Sequence, residues 1–246
     1  MKFQTPLVSG TLIKRYKRFL ADVQLEDGRT ITAHSPNTGA MQGCAEPGSP
    51  VWLRDTANPK RKYPYAWELT TSLEGCLVGI NTGIVNRLVE EAINNGIVTG
   101  LQGYSQIRSE VKYGRENSRI DLLLQSGDGD RADCYVEIKN VTAVDNAIVN
   151  ASVDKGTAIF PDAVSLRATR HLRELMHVVE QGQRGVIFFC IQREDISQFK
   201  PADSIDPEYG QMLRKAITHG VEVMAYKAIV SPVEIHLVQA IPVSCS

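Results

Sequence analysis

Three charged residues of the 246-residue chain have the types and the spacing that metal-dependent phosphate chemistry requires: Asp121, Glu137 and Lys139. Glu137 and Lys139 lie two residues apart in a predicted strand, so their side chains point to the same face. Asp121 lies near the start of another predicted strand, and residues 126–130 between the two strands are typical of a hairpin loop. If the strands pair, the two carboxylates can share one divalent cation, and such oxygen ligands favour Mg²⁺ or Mn²⁺.

A cation at this place would bind a phosphodiester oxygen and lower the pKa of a bound water, while the lysine would orient the nucleophile or offset charge in the transition state. The spacing of the pair is common, because Glu110 and Lys112 repeat it on another predicted strand. Such pairs usually form solvated or salt-bridged strand faces. Asp121 on the neighbouring strand and an amphipathic helix before it favour the Glu137 pair as the metal site.

The elements that must position these residues fall into two groups. The first third of the chain consists of short strand segments and turns, including the hairpin signal Asp27-Gly28, which together predict a small β-barrel. In this part the residues from 12 to 23 are expected to form one long extended stretch. Further strands are predicted at 29–34, 51–53, 65–71 and 75–80.

The pattern changes near residue 82 and then predicts an α/β module with a central sheet. Thr82 is expected to cap a helix that ends at Asn95-Gly96, and a long helix is expected from Pro161 to about Gln181. A third helix should begin at Asp206-Pro207 and end at Gly220. Strands are predicted at 107–113, 119–125, 134–140, 186–191 and 221–230. We therefore expect a barrel module at 1–82 and an α/β module at 83–246.

Composition and charge are those of an ordinary globular protein, with a formal net charge of −1. Residues 1–82 hold ten basic and seven acidic residues, and the remainder holds seventeen basic and 21 acidic residues. This asymmetry fits a binding module joined to a metal-using module. The five cysteines lack the close spacing of a zinc ribbon, and their odd number disfavours a complete disulfide framework. With neither a signal-peptide-like start nor a run of about 20 apolar residues, the expected location is the cytoplasm.

Two basic clusters in the first module are candidates for nucleic-acid contact, because cations neutralise phosphates and aromatic rings stack on bases. A third group, on the long helix, is spaced so that its members lie on one side of the helix and could bind phosphate. A solvent-exposed helix face has the same pattern. The alternative for the first two clusters is a solvated basic strand edge. The candidates are Lys14, Arg15, Tyr16, Lys17 and Arg18 on a predicted strand, Lys60, Arg61 and Lys62 on a loop, and Arg167, Arg170 and His171 on the helix.

The chain resembles the sugar fermentation stimulation protein A family. The resemblance rests on the segments LIKRYKRFLADV (12–23), HSPNTGAM (34–41), KRKYP (60–64), SEVKYG (109–114), SRID (118–121), YVEIKNVT (135–142) and FPDAV (160–164). It implies an α+β two-domain fold, with an N-terminal OB-fold-like β-barrel and a C-terminal PD-(D/E)XK nuclease-like α/β domain with a mixed central sheet.

The same resemblance implies DNA as the partner, a regulatory role in sugar utilisation, and Asp121, Glu137 and Lys139 as the signature residues of the nuclease-like site. It further implies an acid on the preceding helix, for which Glu91 is the candidate, with Glu90 as the alternative. The chain departs from the family pattern at Leu166 and Ala168, where an acid and a glycine are expected, and in the length of the stretch 145–156.

Three functions remain open at this point. The chain is a DNA-binding regulatory protein with a nuclease-like divalent-metal site, an active Mg²⁺- or Mn²⁺-dependent nuclease, or a non-catalytic protein-interaction module. The DNA-binding and nuclease functions both use a cation beside a phosphate, which Asp121, Glu137 and Lys139 are suited to provide. A protein-interaction module needs no such cation.

Overall fold

The computed structural model describes residues 1–115, 118–127, 129, 131–145 and 156–245. The first module is a β-barrel with the strand order β3-β2-β1-β4-β5-β6, closed by a pairing of β3 with β5. Its core contains Leu12, Val23, Leu53 and Trp67, all nearly inaccessible to solvent. The strands are β1 (Val8–Tyr16), β2 (Leu20–Leu25), β3 (Thr30–His34), β4 (Pro50–Asp55), β5 (Tyr65–Thr71) and β6 (Leu77–Gly79).

The expectation of one extended stretch over residues 12–23 is wrong. The chain reverses between β1 and β2, with Tyr16 opposite Leu20 in an antiparallel register. Lys17 and Arg18 form the turn with φ values of 51° and 64°, a left-handed conformation that side chains other than glycine and asparagine rarely adopt. The turn contains neither glycine nor asparagine, so the sequence pattern does not predict it. The turn at Asp27-Gly28 is confirmed, and Gly28 there has a φ of 84°.

The second module contains a six-stranded sheet with the order β14-β13-β11-β9-β8-β7. The central strands β9, β11 and β13 are parallel, while β7, β8 and β14 are added antiparallel. A separate parallel pair is formed by β10 and β12. The strands are β7 (Gln106–Tyr113), β8 (Ser118–Gln125), β9 (Cys134–Val141), β10 (Gly156–Phe160), β11 (Arg184–Ile191), β12 (Ile196–Pro201), β13 (Glu222–Val230) and β14 (Ile235–Ala240). The helices are α1 (Val85–Asn94), α2 (Leu166–Glu180) and α3 (Pro207–Thr218).

Helices cover both faces of this sheet. Leu88 and Val89 of α1 pack in the same core as Phe188, whereas Leu172 of α2 packs in the core that contains Phe189. Phe188 and Phe189 are consecutive on β11, so alternation along one strand supplies both cores. The α+β architecture with a barrel and a mixed-sheet module is therefore confirmed, while the domain boundary at residue 82 stays a prediction.

Three details of the predicted elements are wrong. The long helix begins at Leu166 rather than Pro161, because Ser165 accepts a hydrogen bond from the Ala168 amide and acts as its N-cap. Residues 156–160 before it form the strand β10. The side chain of Asn81, not Thr82, caps the first helical turn by accepting a bond from Gly83. Strands β12 and β14 were not predicted. Residues 128 and 130 of the expected hairpin loop and residues 146–155 of the longer stretch lie outside the described chain.

The two modules contact each other through polar and backbone groups. Gln192 of the second module accepts a bond from the Gly79 amide and donates its side-chain amide to the Asn81 carbonyl. The Thr82 hydroxyl donates to the carbonyl of Pro36 in the barrel. The part of the chain that the structure describes contains no helix long and apolar enough to cross a membrane.

Candidate metal centre

Asp121 lies where strands β8 and β9 separate. The two strands pair only over Leu122–Leu124 of β8, and Leu122 lies opposite Val136. Beyond this pair the Oδ2 atom of Asp121 accepts the backbone N–H of Ile138 at 2.7 Å. A carboxylate thus takes the place of a backbone carbonyl in the sheet, which brings Asp121 between its own strand and the strand that carries Glu137.

Glu137 is buried beneath α2 with only one of its carboxylate oxygens satisfied. Its Oε1 atom accepts from Lys139 Nζ at 2.5 Å and contacts Nδ1 of His171. Its Oε2 atom is inaccessible to solvent and has no hydrogen-bond partner among the described residues. A buried carboxylate oxygen without a partner is costly, and a donor or a cation at Oε2 would remove this cost.

The electrostatics of the pair also favour a further positive charge. Burial, followed by repulsion from Glu137, raises the pKa of Asp121 to about 7. Burial acts in the same direction on Glu137, but Lys139 and His171 outweigh it and lower the pKa of this carboxyl. The two acids therefore differ in charge near neutral pH, and a divalent cation would allow both to ionise.

These residues fit a hard cation that keeps part of its water shell. Asp121 and Glu137 provide carboxylate oxygens, as Mg²⁺, Mn²⁺ and Ca²⁺ prefer. Within the described chain, no three His, Cys, Asp or Glu side chains are grouped closely enough to enclose a metal ion. The remaining positions around a cation at Asp121 and Glu137 would then be filled by water or by phosphate oxygens, which is the usual arrangement for Mg²⁺.

Two residues near Asp121 were not predicted as part of the site. The Nδ2 atom of Asn86 on α1 donates to Oδ1 of Asp121 at 3.2 Å and to Oε1 of Glu110 at 3.3 Å. Glu110 lies opposite Asp121 in the β7–β8 ladder, between the pairs of Ser109 and Val111, and has a φ of 56°. Glu110 is exposed, as predicted for a solvated strand face, but its bond to Asn86 was not predicted because a single left-handed residue leaves no signal in the sequence pattern.

The helix acid expected from the family resemblance is not brought to this site. Glu91 instead accepts a bond from the terminal ammonium of Met1 at 2.6 Å. Glu90 lines a different cavity, beside Gly103 and Tyr104. Asn86 and Glu91 are five residues apart, which directs them to different sides of a helix with 3.6 residues per turn. The position on α1 that faces Asp121 is therefore an amide and not an acid.

Part of the group predicted on α2 lies beside Asp121 and Glu137. His171 is buried and contacts Glu137, and Arg167 Nε donates to the other ring nitrogen of His171 at 3.4 Å. Arg170 has a buried Nε atom without a hydrogen-bond partner in the described chain. Because His171 is almost inaccessible, it holds Glu137 and is not part of an exposed phosphate-binding face.

The residues of the basic cluster at 14–18 differ in whether they contact the rest of the barrel or solvent. The guanidinium of Arg15 donates to the backbone carbonyls of Arg18, Asn37, Gly39 and Ala40, so it fixes the neighbouring loop. Lys14 lies 3.6 Å from Asp22 and over the ring of Tyr16, whose hydroxyl also donates to Asp22.

The other barrel cations predicted to contact nucleic acid are exposed. They are Lys17 and Arg18 at the turn and Lys60, Arg61 and Lys62 on the loop before β5. The Lys62 ammonium lies over the Tyr63 ring. Unlike Arg15, these five side chains form no hydrogen bond or ion pair with the described residues, so they are accessible to a phosphate backbone.

Comparisons with known proteins place the whole chain in one family. Residues 13–80 match the SfsA N-terminal OB domain, and residues 83–234 match the sugar fermentation stimulation protein RE domain. The chain is 55% identical over 243 residues to the sugar fermentation stimulation protein homolog of Geobacter metallireducens, covering 99% of both chains. It is 57% identical over 238 residues to the homolog of Geobacter sulfurreducens, covering 97% of this chain and 96% of that one.

A solved structure has the same fold throughout. It is the structure of Pyrococcus furiosus SfsA in complex with Ca²⁺, with a TM-score of 0.84 and 26% sequence identity. The match covers 99% of this chain and 98% of the Pyrococcus chain. On the two domain matches, the identities and this shared fold, the chain belongs to the sugar fermentation stimulation protein family.

Proposed function

We propose that this chain binds DNA and holds a divalent cation, Mg²⁺ or Mn²⁺, between Asp121 and Glu137. The observation that carries the proposal is the buried Glu137 Oε2 atom without a partner, beside an Asp121 whose pKa is raised to about 7. The Ca²⁺ bound by the Pyrococcus relative supports a site for a hard cation in this fold. A cation there would bind phosphate oxygens and stabilise the negative charge on them.

The side chains around the pair would each have a separate task. Lys139 and His171 hold Glu137 Oε1, which leaves Oε2 directed to the cation site. The Ile138 amide and Asn86 hold the two oxygens of Asp121. Arg167 and Arg170 add positive charge on α2, where a phosphate backbone would approach. Preorganisation of this kind keeps both acids in place before a ligand arrives.

Hydrolysis of the phosphodiester bond is the second candidate function, and Lys139 favours it. Its ammonium lies 2.5 Å from Glu137 and 3.2 Å from the His171 ring, at the centre of the site. In that place Lys139 would orient a water molecule or offset charge that develops on the phosphate.

One set of assays separates these functions. Labelled single- and double-stranded DNA would be incubated with the protein in EDTA, Mg²⁺ or Mn²⁺, and both binding and cleavage would be measured. We expect salt-dependent binding in every condition, and cleavage only with metal if the second function holds. Asp121→Ala and Glu137→Ala should then abolish cleavage and retain binding in EDTA. Absence of DNA affinity at low salt would refute the proposal and favour a protein-interaction module.

A regulatory role in sugar utilisation follows only from the name of the relatives. DNA binding would be its molecular step. Measuring transcription of sugar-utilisation genes in cells that carry the wild type or a variant defective in DNA binding would test the link, and equal transcription would contradict it.

A further inference from the structure

A cavity of about 480 Å³ lies at the junction of the two modules, apart from the acid pair. The N-terminal segment, the barrel and helix α1 all contribute to its wall. Its volume is in the range of sites that hold a nucleotide-sized ligand. We call this cavity the junction groove, and its ionisable side chains are those of Lys2, His34, Arg54, Arg61, Glu68 and Arg87.

Positive charge predominates in the junction groove. Four of the lining residues are lysine or arginine, and the only carboxylate among the lining residues is that of Glu68. Among the described residues, the side chains of Lys2, Arg61 and Arg87 form no ion pair or hydrogen bond. His34 lies in the same positive field, since burial and then Arg61 lower the pKa of its ring. An unbalanced group of cations in a confined space is an anion site.

Glu68 pairs with one of the four cations and positions it, while Lys2, Arg61 and Arg87 keep the junction groove positive. The Glu68 side chain is 1% exposed, and both of its oxygens are engaged. One accepts from Arg54 Nε and the other from Asn81 Nδ2, each at 2.7 Å. The buried acid therefore orients Arg54 through Nε and leaves the outer guanidinium nitrogens available. A guanidinium held in this way is suited to bidentate contact with a phosphate.

The remainder of the wall is apolar and includes one aromatic ring. Phe3, Pro36, Ala66 and Ile84 line the junction groove together with the cations. A ring and aliphatic surface next to arginines match the two parts of a nucleotide, because the base packs on the apolar wall while the phosphate meets the cations. Inorganic phosphate would use only half of this lining.

The junction groove and the acid pair meet at helix α1. Arg87 lines the junction groove, and its neighbour Asn86 donates to Asp121. Adjacent residues of α1 therefore contact the two sites, so a strand that occupied both would pass along this helix. This continuity favours a nucleic-acid strand over a free nucleotide as the source of the phosphate.

We infer that the junction groove binds a nucleoside phosphate, supplied by a strand of bound nucleic acid, through Arg54, Arg61 and Arg87. This inference rests on the proposed DNA binding and adds a site on the path of the strand. The test variant is Arg61→Gln/Arg87→Gln, in which two exposed and unpaired cations are removed. The matched control is Arg29→Gln/Lys215→Gln, which removes the same charge at exposed positions that do not line the groove.

The experiment measures the affinity for a fluorescent single-stranded oligonucleotide in EDTA over a series of salt concentrations, with AMP as a separate ligand. The loss of two contacts should flatten the slope of log affinity against log salt by about 1.4 and weaken binding roughly tenfold or more. The control should keep the wild-type slope. Thermal melting and Mn²⁺ affinity, measured on the same variants, verify that the fold and the acid pair are intact.

The outcomes separate this inference from the function on which it rests. If the groove variant binds the oligonucleotide like the control, the inference is overturned while DNA binding stands. If AMP binds in a groove-dependent manner and the oligonucleotide does not bind, the groove is supported with a free nucleotide as the source, and the proposed DNA binding fails. If the wild type binds neither ligand, both are overturned.

Discussion

Two regions illustrate different uses of charged residues in this molecule. They are the acid pair, Asp121 and Glu137, and the basic turn of the barrel, residues 14–18. Asp121 and Glu137 are charged side chains in the interior, and the structure leaves one of their oxygens without a partner. In the basic turn, the terminal guanidinium nitrogens of Arg15 donate to backbone carbonyls of the neighbouring loop, while Lys17 and Arg18 are exposed to solvent. A buried group that lacks a partner indicates a ligand more strongly than an exposed group of the right charge, because only the buried group destabilises the ligand-free fold.

The largest expected effect tests the burial of Asp121 and its repulsion by Glu137, which together raise the pKa of Asp121. The ordinary pKa of Asp121 is 3.8, and its value in the fold is about 7. The folded state keeps its proton to higher pH than the unfolded state, so the free energy of unfolding falls as pH rises through this window. Asp121→Asn removes this loss. In EDTA at pH 8 the variant should be more stable than wild type by at most roughly 4 kcal/mol, and the difference should vanish near pH 4.

Chemical unfolding at several pH values measures this effect. Glu208→Gln is the control, since it changes an exposed acid on α3 and should leave the pH profile as it is. An Asp121→Asn protein that is less stable than wild type at pH 8 in EDTA would contradict the expectation that ionised Asp121 destabilises the fold.

The next effect concerns the affinity for metal. Glu137→Gln removes a carboxylate proposed to bind the cation directly, and we expect the affinity for Mn²⁺ to fall by at least roughly 100-fold, because loss of a residue that only supports a ligand already costs about 10- to 100-fold. Calorimetric titration measures it, with Glu208→Gln again as the matched acid-to-amide control. Equal Mn²⁺ affinity in wild type and Glu137→Gln would place the cation elsewhere.

A smaller effect should distinguish the residues within the basic turn. Arg15→Ala leaves several backbone carbonyls of residues 37–40 without their donor, and a cost of about 1–3 kcal/mol in unfolding free energy is expected. Lys17→Ala removes a solvent-exposed charge and should change stability by no more than about 0.5 kcal/mol. Urea unfolding compares the two, and a loss of similar size in both would mean that Arg15 has no special structural role.

The smallest effect is expected from the exposed cations of the same turn. Lys14→Gln/Lys17→Gln/Arg18→Gln leaves Arg15 in place, so that the barrel stays intact. If this surface contacts a single strand, the slope of log affinity against log salt should become shallower by up to about 2. An oligonucleotide titration at several salt concentrations measures the slope. An unchanged slope would remove the basic turn from the binding surface and leave its cations as a solvated edge.

Local pattern was sufficient to predict part of this structure. The period of two along a strand places Glu137 and Lys139 on one face, and their contact in the structure agrees with it. Turn chemistry correctly predicted the hairpin at Asp27-Gly28 and the cap at Asp206. These features depend on residues that are neighbours in the chain, so the sequence carries their signal directly.

Features that depend on distant segments were not predictable from pattern. The contact between His171 and Glu137 exists because α2 packs over β9, and nothing in either segment specifies that packing. Asn86 reaches Asp121 only because α1 covers the other side of the place where β8 and β9 separate. The bond of Glu110 to Asn86 was not predicted, because the left-handed backbone of this exposed residue is a product of the assembled sheet.

The bond between the Asp121 carboxylate and the Ile138 amide makes one backbone proton a reporter for the whole site. A carboxylate acceptor draws this proton more strongly when it is ionised than when it is protonated. The amide resonance of Ile138 in a nuclear magnetic resonance spectrum should therefore follow the charge on Asp121 during a titration, and should shift again when a cation binds. A single amide signal from the middle of β9 would then report occupancy of the centre without any substrate or assay of activity.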